Sequence, residues 1–155
     1  MNPATNTCDR IVVAPATGDT SATTTAWIDT LGYDYAQVIL TLATGVTTAS
    51  TFSALSIGEA ETTSATSVSD IAGLDGSTST AATTGFVIPK NVTTSGTVVG
   101  SLLRLNIDTR SRKRYLRLSA TPGTTNIWGA SLRLSRGGIE PPAATAGNVT
   151  VDVTA

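Results

Sequence analysis

Residues 97–136 read TVVGSLLRLNIDTRSRKRYLRLSATPGTTNIWGASLRLSR, and this stretch decides the fold class. Apolar and polar side chains alternate along three parts of it, residues 97–108, 115–120 and 127–135. Alternation with a period of two is typical of β-strands that turn one face to a core and the other to solvent. Pro122 and Gly123 suit a type II turn before the third part. The stretch therefore predicts three consecutive antiparallel strands joined by hairpin turns.

The same alternation continues in the rest of the chain. It predicts strands over residues 35–42 and 52–57, with a bend near Ser53, and shorter strands near residues 11–13, 68–71, 86–88 and 149–153. Asp75-Gly76 is a strong turn dipeptide, and it predicts a turn after the segment near residues 68–71. The composition agrees, because the 30 Thr, 15 Ser and 20 Ala among 155 residues include many β-branched side chains, which favour strands over helices.

Short strands without helices predict an all-β protein, either an antiparallel β-sandwich or a jelly-roll-like barrel. Residues 31–137 should form the sandwich domain, residues 1–30 an extended N-terminal arm, and residues 138–155 a C-terminal tail with one short strand. Both ends hold few large apolar side chains. We therefore expect Ile11, Val12, Val13 and the tail valines to gain strand partners only in an assembly. Deleting residues 1–20 should then leave the isolated fold almost unchanged.

The absent residue types exclude several classes of enzyme. The chain has no histidine, so it cannot build a Ser-His-Asp triad, a Cys-His pair or a histidine-ligated metal site. Cys8 is the single cysteine, which rules out an internal disulfide and a multi-thiolate site. No stretch has the apolar length of a secretory signal or a membrane span. We expect no catalytic residue, no cofactor, no metal and no membrane association.

Charge is distributed unevenly along a chain whose net charge is −1. Residues 1–103 carry a formal charge of −6, and residues 104–136 carry +7. Charge separation of this kind bears on partners and assembly more than on fold. It favours a head-to-tail contact between copies, or a contact with an acidic surface.

The densest group of cations gives the candidate partner-binding residues, which are Arg110, Arg112, Lys113, Arg114, Tyr115 and Arg117. Arginine is suited to planar, bidentate recognition of carboxylates, so an acidic protein surface is a fitting partner. Nucleic acid is disfavoured, because Tyr115 is the one aromatic residue within the run. The alternative interpretation is a solvated loop that keeps the protein soluble.

Other residues with chemical potential have simpler interpretations. Glu59 and Glu61 lack the apolar surroundings that would raise the pKa of a glycosidase acid. Trp27 and Trp128 are more typical of a core or interface than of a sugar platform, and Tyr33 marks the beginning of a strand with ring packing. A carbohydrate-binding module nevertheless remains an alternative on a β-sandwich.

Three runs resemble a known family: GYDYAQV at residues 32–38, LNID at 105–108 leading into RKRYLRL at 112–118, and ASLRLSR at 130–136. They are similar to small virion proteins of tailed bacteriophages, the head decoration or cement proteins. The likeness covers residues 32–42 and 98–137. It implies a β-sandwich or barrel that clusters, often as trimers, on the outer capsid lattice, with no catalytic residue.

The sequence thus leads to the expectation of a non-enzymatic virion protein that binds the outer capsid surface and stabilises the head lattice. Its expected partners are the major capsid protein and further copies of itself, as a homotrimer. Its expected location is the capsid surface of a virion assembled in the host cytoplasm. The alternative is a carbohydrate- or receptor-binding module of a phage fibre or tail.

Overall fold

The computed structural model describes residues 7–18, 20–42, 52–77, 85–88, 93–94, 97–98, 101–123, 126–136 and 149–154. The strands are β1 (Thr7–Gly18), β2 (Thr23–Thr24), β3 (Ile28–Asp29), β4 (Tyr35–Leu42), β5 (Phe52–Ala60), β6 (Ser69–Ser77), β7 (Phe86–Val87), β8 (Thr93–Thr94), β9 (Thr97–Val98), β10 (Ser101–Asp108), β11 (Tyr115–Pro122), β12 (Asn126–Ser135) and β13 (Val149–Thr154). Two single 3-10 turns, Ala65–Ser67 and Thr109–Ser111, are the helical segments of the described residues.

Two sheets face each other across the core. The front sheet has the strand order β1-β12-β4-β10-β13, and the back sheet has the order β2-β11-β5-β6-β7, with β3 also paired to β11. All described pairs are antiparallel except β6 with β7. The sheets do not close on each other through strand pairing among the described residues. The predicted all-β class is confirmed, and the architecture is a sandwich.

The alternation of side chains along the strands determines which of them form the core. In the front sheet Leu132, Val38 and Leu105 lie side by side on β12, β4 and β10, and each is almost fully buried. Leu118 and Ile57 form a matching buried pair in the back sheet. Apolar side chains that share one parity on every central strand therefore meet in a single layer between the sheets.

The bend expected in the second predicted strand is present. Pro122 pairs with Phe52 while Thr121 pairs with Ala54, so Ser53 is the extra residue of a β-bulge. Phe52 thereby returns to the core side of β5, where it is buried.

Two predictions about turns are wrong. β10, β11 and β12 are not paired with one another, because β10 and β12 lie in the front sheet and β11 lies in the back sheet. The basic run is therefore a crossover between sheets and not a hairpin. Asp75-Gly76 lies inside β6, where Gly76 allows a close approach: a Cβ there would lie 2.8 Å from the Phe86 ring and 2.9 Å from Ile88.

The expectation that the terminal segments find strand partners only in an assembly is also wrong. β1 pairs with β12 and β13 pairs with β10 within the one chain, so both segments supply edge strands of the front sheet. Cys8, Val12 and Val13 pack against the core from β1. No residue of β1 is fully buried, and the strand is held at the periphery of the fold.

Deleting residues 1–20 should accordingly destabilise the isolated protein. The deletion removes β1 from the edge of β12 and uncovers core otherwise covered by Val12 and Val13. The expected loss is about 2 kcal/mol, the order of magnitude for two half-buried valines. Urea unfolding measures it, with deletion of residues 1–6, which precede β1, as the control. An unchanged unfolding free energy would show that β1 adds nothing to the isolated fold.

Candidate docking surface at one end of the sandwich

Two crossover loops meet at one end of the sandwich. Residues 30–34 lead from the back sheet to β4, and residues 109–114 lead from β10 to the back sheet. The backbone N and Oγ1 of Thr30 donate to the carbonyl of Arg114 at 3.0 and 2.6 Å. Thr109 donates in the same way from its backbone N to the carbonyl of Asp34 and from its Oγ1 to the carbonyl of Tyr33, at 2.8 and 2.7 Å. Because both threonines are buried, the loops form one rigid unit.

We call this surface the basic end, and it consists of residues 30–34, residues 109–114 and Arg136. Of the six predicted partner-binding residues, Arg110, Arg112, Lys113 and Arg114 lie in the basic end. Tyr115 begins β11 beside it. Arg117 lies farther along β11, where its guanidinium stands 4.7 Å from the centre of the Trp27 ring. The structure thus brings four of the six together at one end of the sandwich.

Asp108 anchors the crossover. Its carboxylate accepts hydrogen bonds from Arg110 Nε at 2.9 Å and from the Arg110 backbone N at 3.0 Å, and it pairs with Nη2 at 2.5 Å. The hydrogen bonds from the Arg110 side chain hold the pKa of the Asp108 carboxyl below its usual value, and burial of the carboxyl acts against them. The guanidinium also lies 5.0 Å from the centre of the Tyr35 ring. These contacts fix the direction of the Arg110 side chain.

Arg114 is fixed in a similar way. Its Nε and Nη2 donate to the two carboxylate oxygens of Asp29 at 2.9 and 2.6 Å, and its guanidinium lies 5.0 Å from the centre of the Tyr115 ring. Together with a hydrogen bond from the backbone N of Leu31, this arginine lowers the pKa of Asp29 to about 2. The ion pair is exposed to solvent, so it orients the side chains more than it stabilises the fold.

Lys113 connects the second crossover to β5 and β6 through hydrogen bonds. Its backbone N donates to Glu59 Oε2 at 3.3 Å, and its Nζ donates to Ser69 Oγ at 2.9 Å. Glu59 thus serves as an acceptor for the crossover, while Glu61 is exposed beyond the end of β5. Glu61 therefore does not share a strand with Glu59.

The uneven charge of the sequence is partly used inside the fold. Arg114 pairs with Asp29, and Arg133 Nε pairs with Asp9 Oδ1 at 2.8 Å. Each pair joins an arginine of residues 104–136 to an aspartate of residues 1–103. Part of the charge separation therefore reflects contacts between distant segments of one chain.

The sequence interpretation missed Arg136 and Leu31 at this end. The Arg136 guanidinium lies 5.3 Å from the centre of the Tyr33 ring, and its Nη2 would stand 3.3 Å from a Cβ placed on Gly32. Leu31, the residue before Gly32, has 67% of its surface exposed. Gly32 has a φ of +82°, so this glycine is the sequence feature from which a turn here could have been predicted.

Four aromatic rings share one pattern, and they belong to Trp27, Tyr33, Tyr35 and Tyr115. Each has an arginine guanidinium within 5.3 Å of its ring centre, on one face. Trp128 is buried and meets Phe52 edge-to-face. Since stacking on a ring fixes a guanidinium while leaving its in-plane N–H groups able to donate, these rings orient cations.

In the part of the chain that the structure describes, no group of three or more His, Cys, Asp or Glu side chains is placed to hold a metal ion. The helical segments described are single turns, and none has the length or apolarity to span a membrane. No protein-family model and no curated protein sequence matches this chain.

Replacing Asp108 with alanine should lower the free energy of unfolding by about 1–2 kcal/mol, because the first turn after β10 loses its charged cap. The pKa of Asp108 is lowered on folding, so its contribution is complete above the unfolded value of 3.8 and is lost as the pH falls through the folded value. The difference between wild type and variant should therefore shrink below that pH.

Urea unfolding at pH 7 and at acid pH measures this difference. The control is Asp75→Ala, which removes an exposed carboxylate of β6. An Asp108→Ala effect that does not change with pH would show that the carboxylate charge is not what holds the crossover.

Proposed function

We propose that the chain is a non-enzymatic virion structural protein that binds the outer capsid surface of a tailed bacteriophage and stabilises the head lattice. The observation that carries the proposal is the basic end, where carboxylates and aromatic rings hold arginine side chains in fixed directions. Preorganised cations lose less conformational entropy on binding than free ones. The family resemblance, carried by the same RKRYLRL run, supports the proposal.

The partner that suits this surface is an acidic region of the major capsid protein. Guanidinium groups recognise carboxylates through two parallel hydrogen bonds, and Arg110 and Arg114 already show that geometry toward their own aspartates. An acidic partner would extend these networks. Complementary charge also speeds the encounter more than it tightens the complex.

Self-association as a homotrimer on the capsid belongs to the same proposal. A single basic end offers a small contact surface, but copies that touch each other on a lattice bind as a linked set. Each additional contact is then effectively intramolecular, so weak individual contacts give firm attachment.

The test uses the full chain and shells assembled from the major capsid protein of the same virus without this protein. We expect binding at a fixed ratio of copies to capsid subunits, measured by co-sedimentation and quantitative gel densitometry, together with a higher melting temperature of the shells. Absence of binding would contradict the proposal. A few copies confined to one vertex or to the tail of native virions would favour the fibre or tail module with a glycan or receptor partner.

A further inference from the structure

The turn between β3 and β4 presents a leucine to solvent. The backbone N of Tyr33 donates to the carbonyl of Thr30 at 3.0 Å, which closes a four-residue turn with Gly32 in a left-handed conformation. Leu31 stands at the apex of this turn, and 67% of its surface is exposed. The turn requires glycine at residue 32, but it places no requirement for an apolar side chain at residue 31.

Hydrogen bonds to and from the two residues before Leu31 hold the turn in place. The backbone N of Leu31 donates to Asp29 Oδ1 at 3.0 Å, and the same carboxylate accepts two hydrogen bonds from the Arg114 side chain. Thr30 is buried and bonded twice to the backbone carbonyl of Arg114. Asp29 and Thr30, the two residues before Leu31, are therefore bonded to Arg114 of the second crossover.

Two guanidinium groups lie against residues that neighbour Leu31 in the chain. Arg114 lies on the Asp29 side, and Arg136 lies on the Gly32 side against the Tyr33 ring. Within the described residues no salt bridge involves Arg136, and the residue is exposed. The apex thus combines one apolar side chain, one charge without an acidic partner and two aromatic supports.

The other strongly exposed apolar residues differ in setting. Ile11, Val87 and Ile127 lie on strands, and Ile127 is at the opposite end of β12 from Arg136. Single apolar side chains on strands are ordinary features of protein surfaces. Leu31 differs because it lies in a hydrogen-bonded turn whose neighbouring residues Asp29 and Gly32 contact two arginines.

We propose that the Leu31 turn is the point at which the basic end docks, with Leu31 entering an apolar pocket of a protein surface whose rim carries carboxylates that meet Arg136 and Arg114. The proposal rests on the proposed function and names the docking residues within it. A rigid apolar anchor with a charged rim is the usual arrangement of an interface centre. The pocket supplies burial, and the carboxylates supply orientation and speed of association.

The test compares matched variants on shells of the major capsid protein. Leu31→Ser should weaken binding at least about 30-fold, the factor that separates an interface hot spot from its surroundings. Arg136→Gln should slow association mainly at low salt, because it removes a rim charge. The controls are Ile127→Ser, an equivalent change on an exposed strand residue, and Arg133→Gln, which removes a guanidinium that pairs with Asp9 outside the basic end. Both controls should bind as wild type does.

Circular dichroism and thermal melting of each variant verify that the fold is retained, as expected for the exposed residue Leu31. Unchanged binding of Leu31→Ser beside bound wild type would overturn the docking role while leaving the proposed function intact. Equal losses from Leu31→Ser and Ile127→Ser would also overturn it, since no specific anchor would then exist. Failure of the wild type to bind would overturn both proposals.

Discussion

Phe52→Ala should lower the free energy of unfolding by about 3–5 kcal/mol, the range for removing a buried aromatic side chain. Phe52 is 1% exposed and meets Trp128 edge-to-face, with ring centres 5.1 Å apart and planes at 87°. Phe52 comes from the back sheet and Trp128 from the front sheet, so the pair joins the two layers at the end opposite the basic end. Alanine would leave a cavity beside the indole and remove the ring contact.

Urea unfolding at neutral pH measures this loss, and Ile127→Ala is the control. Ile127 adjoins Trp128 in sequence but is 46% exposed, so its truncation should change the unfolding free energy by no more than about 0.5 kcal/mol. A loss below about 1 kcal/mol for Phe52→Ala would show that the site collapses around the smaller side chain. Since Phe52 lies far from the basic end, the folded fraction of the variant should still bind capsid shells.

The double variant Arg112→Ala with Arg114→Ala should weaken attachment to capsid shells by about 2–5 kcal/mol, if partner carboxylates are left without these cations at a partly buried interface. The isolated fold should lose little from the missing Arg114–Asp29 pair, because both partners are exposed. The large effect would thus appear in attachment, and the small one in stability.

The matched control is Arg10→Ala with Arg133→Ala, which changes the net charge equally but acts on β1 and β12. Occupancy of shells is measured at low and moderate salt, so that nonspecific attraction is separated from direct contact. Equal losses from both double variants would assign the effect to net charge. Unchanged occupancy of the Arg112/Arg114 variant at both salt concentrations would leave the crossover as a solvated loop.

Local alternation located the strands of the sandwich but did not reveal their partners. Leu103, Leu105 and Ile107 share one parity, and all three are buried as that parity predicts. The same pattern arises whether the next strand returns beside the first or crosses to the other sheet. The predicted hairpin around Arg112 therefore failed, although the strands on either side were placed correctly.

Turn chemistry misled at Asp75-Gly76 because a tertiary contact overrode it. The bare Cα of Gly76 is needed where Phe86 and Ile88 press against β6, and this close approach keeps the strand extended. A glycine that serves packing and a glycine that serves a turn look alike in a single sequence. Nothing local distinguishes the two uses.

For the candidate site, too, local properties of the sequence were predictable and contacts between distant residues were not. The sequence by itself determined the all-β class, the faces of the central strands and the concentration of arginines at residues 110–117, because composition and period-two alternation are local properties. Only the tertiary structure decided that Asp29 and Asp9 would meet Arg114 and Arg133, residues 85 and 124 positions away along the chain. It also brought Arg114 to Asp29 and Arg136 to Gly32, on either side of Leu31 in the chain. Such contacts depend on which strands become neighbours, and that choice is made by burial summed over both sheets.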